Sequence, residues 1–177
     1  RAVIGEVRFA EHVKPGVSTG YLNEIAEKEI NKRGAKSAFK GYAPFEGDPP
    51  YPAVICSSVN DQVVHGIPSY RVVLKQGDIV GIDLGVVYGD YVGDAAITVP
   101  GGKVPKGVRK LMQVTQQSLF EAITHCRVPF RLGDIGHSVQ AYAEGHGYSV
   151  VRKYFGHGIG RAMHEEPAVP NYGKPGS

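Results

Sequence analysis

Apolar residues Val3, Ile4, Val7, Ala10 and Val13 recur at helical spacing, and Lys14-Pro15-Gly16 then breaks the pattern. Residues 1 to 13 are therefore expected to form a helix that ends in a turn. A second stripe of Leu22, Ile25, Ala26 and Ile30 follows Ser18 or Thr19 as N-cap and closes at Lys32, Arg33 and Gly34, predicting another helix. Residues 53 to 59 and 62 to 67 read as short strands, and 79 to 87 and 91 to 99 as a longer hairpin around Tyr88-Gly89-Asp90. After Gly101-Gly102, Pro105 opens a long helix that ends before Pro129. Its Val108, Leu111, Met112, Thr115, Leu119, Ala122, Ile123 and Cys126 make one face that is expected to be buried.

The pattern then repeats. Pro15 leads through a helix to Gly34, and Pro129 leads through Ile135, Val139, Tyr142 and Ala143 to Gly147. Each repeat continues into a strand and a His-Gly pair, His65-Gly66 and His157-Gly158. An α/β fold follows, one domain built of pseudo-twofold halves at about 1–104 and 105–177. At the spacing of the first half, the second half's own aspartate hairpin would fall beyond Ser177, and Arg1 already stands inside an apolar pattern. The sequence is therefore expected to be truncated at both ends, with the second half incomplete.

Composition narrows the classes. A chain of 177 residues that is 42% hydrophobic can bury a sizeable core. A net charge of +3 is too small and too evenly spread to indicate nucleic acid, and Lys103, Lys106, Arg109 and Lys110 read as a solvated helix start. Without an apolar run of about 20 residues or a tripartite leader, the chain is expected to be soluble and not exported. Cys56 and Cys126 lie far apart with no zinc-type spacing, which fits a reducing cytoplasm better than a disulfide framework.

The strongest chemistry lies in Gly77-Asp78-Ile79-Val80-Gly81-Ile82-Asp83-Leu84-Gly85 followed by Tyr91-Val92-Gly93-Asp94. A two-residue loop at Tyr88-Gly89 would place Asp83 directly opposite Asp94. Opposed Cβ atoms lie roughly 4.5–5.5 Å apart, where two carboxylates repel unless one is protonated or a cation lies between them. Gly81 and Gly85 are expected to leave space on that face, while Val80, Ile82, Leu84 and Val86 make the other face apolar. Two aspartates in register favour metal over unrelated strand-end and turn roles, because unpaired buried charge is costly.

A second constellation, Gly156-His157-Gly158-Ile159-Gly160 with His164-Glu165-Glu166-Pro167, brackets an imidazole with glycines that permit close approach. His157 is the candidate third ligand, although a histidine among glycines can equally sit in an exposed turn. His164 could polarise a carbonyl or stabilise an oxyanion, or be a structural partner of Glu165. His65, in Val64-His65-Gly66-Ile67-Pro68, would project from a rigid turn at the sheet edge. His12, His125, His137 and His146 read as surface or packing residues of helices.

Together, HGIP at 65–68, DIVGID at 78–83, Gly93-Asp94 and GHGIG at 156–160 with HEEP at 164–167 resemble the type I methionine aminopeptidases. The resemblance runs from Lys14-Pro15-Gly16 to Pro175-Gly176 and implies the pita-bread fold. It implies two divalent metal ions, cobalt, manganese, iron or zinc, with Asp83 chelating one, Asp94 bridging both and His157 giving nitrogen to the second. It also implies His65 and His164 as catalytic and substrate-contacting residues, with Tyr51, Cys56 and Met163 lining the methionine pocket. The implied activity is removal of N-terminal methionine from nascent proteins by a metal-bridging hydroxide, with the ribosome as a further partner and no membrane or direct nucleic-acid contact.

Two departures qualify this. Residues 43–50 are longer than the common family version and could alter a lid, and Met163 stands where an aromatic residue is frequent. The family's two further glutamate ligands would lie beyond Ser177, so the activity of these residues alone is open. The alternatives are a proline-directed aminopeptidase or prolidase, which the HGIP segment opposes, and a non-catalytic peptide-binding module of the same fold.

Overall fold

The computed structural model of the chain describes residues 9–43 and 45–177. Most of the helix expected over residues 1 to 13 lies outside them; its end is helix α1 (Phe9–His12). Helix α2 (Thr19–Lys32) starts where Ser18 Oγ accepts the Tyr21 amide at 3.2 Å, as an N-cap does. Leu22, Ala26 and Ile30 of α2 are buried.

The main sheet comprises β1 (Lys36–Ser37), β2 (Ile55–Val59), β3 (Ile79–Tyr88) and β4 (Tyr91–Pro100). On one side β3 pairs antiparallel with both β1 and β2, and on the other with β4. Val80, Ile82, Leu84 and Val86 of β3 are buried with Leu22, Ile30, Ile55 and Leu74 in one apolar cluster, so the face expected to build the core does so. Strand β2 is shorter than the 53–59 expected, because Ala53 and Val54 bend as the Asn23 side chain of α2 accepts the Val54 amide at 2.9 Å.

The strand expected over 62–67 does not form. Asn60 and His65 both adopt left-handed backbone, with φ 55° and 59°, which an extended strand cannot contain, so this stretch is a loop.

The remaining elements are α3 (Lys106–Thr124), α4 (Leu132–Gly145), β5 (Gly156–Gly158) and β6 (Glu165–Val169). Helix α3 occupies the expected span, with Pro105 at its N-cap. Its buried stripe, however, is Val114, Ser118 and Ala122; Leu111, Thr115, Leu119, Ile123 and Cys126 of the face expected to be buried are exposed. Among the described residues no layer covers that face, so periodicity set the helix but not its burial.

Helices α2 and α4 terminate alike. The amide of Gly34 bonds Asn31 O and that of Ala35 bonds Ile30 O, and Gly147 and Tyr148 repeat this with Glu144 O and Ala143 O. Both glycines have positive φ. The internal repeat is therefore structural as far as these helix ends. The chain divides into two compact units, Arg1–Val104 with Ile159–Met163, and Pro105–Gly158 with His164–Ser177.

Candidate metal centre

The aspartate hairpin differs from expectation by one loop position. Its two central residues are Gly89 and Asp90, with φ 56° and 66°, and Tyr88 pairs with Tyr91. Asp83 consequently stands opposite Ala96, and Asp94 opposite Gly85. The two aspartates are diagonal neighbours on one face, not directly opposed. They still meet, since burial, the Asp94 charge and a hydrogen bond to the Asp94 side chain push the Asp83 carboxyl up to about 7, against the opposing pull of the Leu84 amide.

On the same face β2 contributes Cys56, opposite Asp83, and Ser58, opposite Gly81. Gly81 leaves open space as expected, with nothing closer than 3.7 Å to a built Cβ. The space expected at Gly85 is instead filled: a Cβ there would lie 2.4 Å from the Phe39 ring. Phe39 in turn meets Tyr51 edge-on, with ring centroids 6.4 Å apart. Cys56 is buried, which pushes its thiol up to about 11; its hydrogen bond with Tyr51 opposes that shift, and the charges of Asp83 and Asp94 add to it.

Tyr51 was singled out in the sequence as a pocket residue, but its hydroxyl does more than line a wall. It lies 3.0 Å from the Ile55 carbonyl and 3.1 Å from the Gly66 carbonyl. Together with Asn23 this holds the start of β2 at both its amide and its carbonyl side. No sequence signal announces such bonds, because their acceptors are backbone atoms far away in the chain. The loop after β2 carries His65, which is exposed.

In the second unit, β5 pairs with β6, and a Cβ on Gly158 would lie 2.3 Å from Glu166 O, so this glycine is required by close backbone approach. The His157 and His164 rings lie against each other, centroids 4.2 Å apart and planes tilted by 43°. His157 Nδ1 lies 2.8 Å from the Gly158 carbonyl. Because that oxygen can only accept, Nδ1 donates to it, which leaves Nε2 as the nitrogen that could serve a metal. Met163 is half-buried in the Ile159–Met163 segment of the first unit.

The donor chemistry fits a divalent cation. A half-buried carboxylate raised by its burial and by the exposed carboxylate beside it forms an arrangement that a cation would relieve. Among the described residues, no three or more histidine, cysteine, aspartate or glutamate side chains gather into a group that could hold a metal ion; of the expected ligands, Asp83 and Asp94 are the two that meet.

Residues 1–177 match the metallopeptidase family M24. The chain belongs to this family. Its M24 relatives include the methionine aminopeptidase of Aquifex aeolicus, 49% identical over 92% of this chain and 63% of that protein. That of Clostridium acetobutylicum is 46% identical over 98% of this chain and 68% of the relative. Among solved M24 structures, the methionine aminopeptidase of Rickettsia prowazekii superposes with a TM-score of 0.89 at 41% identity, covering 96% of this chain and 65% of its own. The Thermotoga maritima enzyme gives 0.90 at 39%, covering 99% and 67%. The prolidase of Pyrococcus furiosus, at 19% identity and TM-score 0.79, shares the fold alone. The resemblance to methionine aminopeptidases and the pita-bread fold it implied are thus borne out, and the chain spans about two thirds of the length of the relatives it matches.

Proposed function

We propose that the protein carrying this chain is a metal-dependent aminopeptidase that removes N-terminal methionine from nascent proteins in the cytoplasm. Asp83 and Asp94 would hold two divalent ions, with His157 as the nitrogen ligand that the resemblance implies. The observation that carries this reading is the pair of aspartates meeting on one face of the hairpin, Asp83 half-buried and Asp94 exposed, an arrangement that a cation would relieve.

When bound, such ions make water nucleophilic near neutral pH and polarise a scissile carbonyl. The chain's own residues would bind and orient the peptide. His65 would contact the leading residue or its amide, and His164 would donate to the oxygen on which charge develops. Tyr51, Cys56 and Met163 would line the methionine pocket; the apolar ring, the protonated thiol and the flexible thioether suit a thioether side chain.

The test is isothermal titration of the full-length protein with manganese or cobalt, followed by cleavage of Met-Ala-Ser against Ala-Pro-Ala. Metal binding that is lost in Asp83→Asn and Asp94→Asn, with preference for Met-Ala-Ser, is the expected result. Preference for Ala-Pro-Ala would make the protein proline-directed. Metal-independent peptide binding without turnover would make it a binding module.

A further inference from the structure

Tyr51, expected only as a pocket-lining residue, also clamps two backbone carbonyls through its hydroxyl. A phenol has one proton, and here it is shared between two carbonyls, Ile55 O at 3.0 Å and Gly66 O at 3.1 Å. The ring that delivers it is itself fixed. The Tyr51 backbone closes the neck of the 43–50 excursion, with Gly41 N donating to Tyr51 O at 2.8 Å and Tyr51 N to Tyr42 O at 2.9 Å, and Phe39 abuts the ring edge-on.

The recipient, Gly66, is held from every side. The Ser57 amide donates to Gly66 O at 2.7 Å, the Gly66 amide donates to Ser58 Oγ at 3.1 Å, and a Cβ at Gly66 would sit 2.2 Å from Ser57 O. The residue before it is His65, whose φ of 59° is a conformation that a non-glycine residue does not choose unaided. The direction of the His65 side chain therefore depends on what fixes Gly66, held at its amide by Ser58 and at its carbonyl by Tyr51 and the Ser57 amide.

We propose that Tyr51 is a positioning residue: by bridging the Ile55 and Gly66 carbonyls, its hydroxyl anchors Gly66 on its carbonyl side and so helps set how the imidazole of the preceding His65 is presented to the peptide substrate. This rests on the aminopeptidase reading above and assigns the hydroxyl a role separate from the ring's place in the pocket wall. Ser58, whose hydroxyl accepts the Gly66 amide, holds the His65–Gly66 peptide itself and shares the task.

Tyr51→Phe keeps the ring and removes the clamp. In the full-length enzyme loaded with manganese, kcat for Met-Ala-Ser is expected to fall about five- to tenfold, the factor carried by one neutral hydrogen bond. KM should stay within about twofold and manganese affinity should not change. In a His65→Ala background the same substitution should cost nothing further, because the residue through which it acts is gone. Ser58→Ala should give the same split. An equal loss in both backgrounds, a change in KM alone, or a loss that follows metal affinity would overturn the proposal. Amide exchange separates this inference from the parent reading. If the wild-type protein does not cleave Met-Ala-Ser, the methionine assignment fails, yet exchange about five- to tenfold faster in Tyr51→Phe at the Ser57 amide, which donates to the same Gly66 carbonyl, still supports the clamp, and unchanged exchange there sinks it.

Discussion

Below about pH 7, a cation that binds Asp83 competes with a proton. The Asp83 carboxyl is raised in the folded, metal-free chain by burial and by Asp94, so folding favours its protonated form. The sign follows: this group leaves stability intact at pH below the ordinary carboxylate value near 4, and the metal-free protein loses stability as pH rises towards about 7. Metal affinity should run the other way, rising with pH up to about 7 and then flattening, with proton release on manganese addition at pH 6. A dye-monitored titration in weak buffer checks this, and binding with no proton released would show that Asp83 is already ionised. Ser57 makes a second prediction. It is 3% exposed on the core face opposite Ile82, and its hydroxyl has no hydrogen-bond partner among the described residues. Ser57→Ala removes that uncompensated group and should raise the urea midpoint by the equivalent of about 1 kcal/mol. At this scale the sequence was informative about residues that carry charge, because Asp83 and Asp94 stand in an alternating pattern whose faces are unambiguous. It was silent on Asn23, Ser58 and the Tyr51 hydroxyl, whose partners are backbone groups brought near only by folding.

The hairpin shows which part of an element a sequence can specify. The loop Tyr88-Gly89-Asp90 offers two dipeptides as its centre. Gly89-Asp90 takes it because both central positions need positive φ, which Asp accepts more readily than Tyr. Moving the centre by one residue slides each strand pairing by two, so every side chain keeps its face. That is why the carboxylates still meet although their predicted opposition was wrong. Gly85 tests how closely this face is packed. With Phe39 lying 2.4 Å from where a Cβ would be, Gly85→Ala should destabilise the protein by about 1–3 kcal/mol through overpacking, whereas Gly81→Ala, with nothing nearer than 3.7 Å, should be close to neutral. Comparison of thermal midpoints decides it, and equal effects would mean that the ring moves aside. Helix α3 marks the opposite limit: its periodicity predicted a helix correctly, but burial of an apolar face is a property of what lies against it, and Leu119 and Ile123 remain over half exposed.

The two units differ in what holds them. Every member of the main apolar cluster, from Val13 to Val99, belongs to the first unit, while α3 and α4 of the second bury only Val114, Ser118, Ala122, Gly136 and Ala143. Amides of α3 and α4 in the 177-residue chain should therefore exchange faster than those of β3 under native conditions. Exchange at a common rate would show that the chain unfolds as one cooperative body.

The Val92 amide of β4 donates to Gly160 O at 2.7 Å, and Arg161 lies over the Tyr91 ring, 5.4 Å from its centroid. Both partners belong to the first unit, yet they are separated along the chain by most of the second. During synthesis from the N-terminus, the aspartate hairpin can fold early, but its outer strand keeps an unsatisfied amide at Val92 until residue 160 has been made. The protein's own birth thus leaves the carboxylate-bearing hairpin with an open seam through a long interval of translation. A chain stalled at residue 150 should show the Val92 amide exchanging freely while Ile82 is protected, and protection at both positions would mean that the seam is closed some other way.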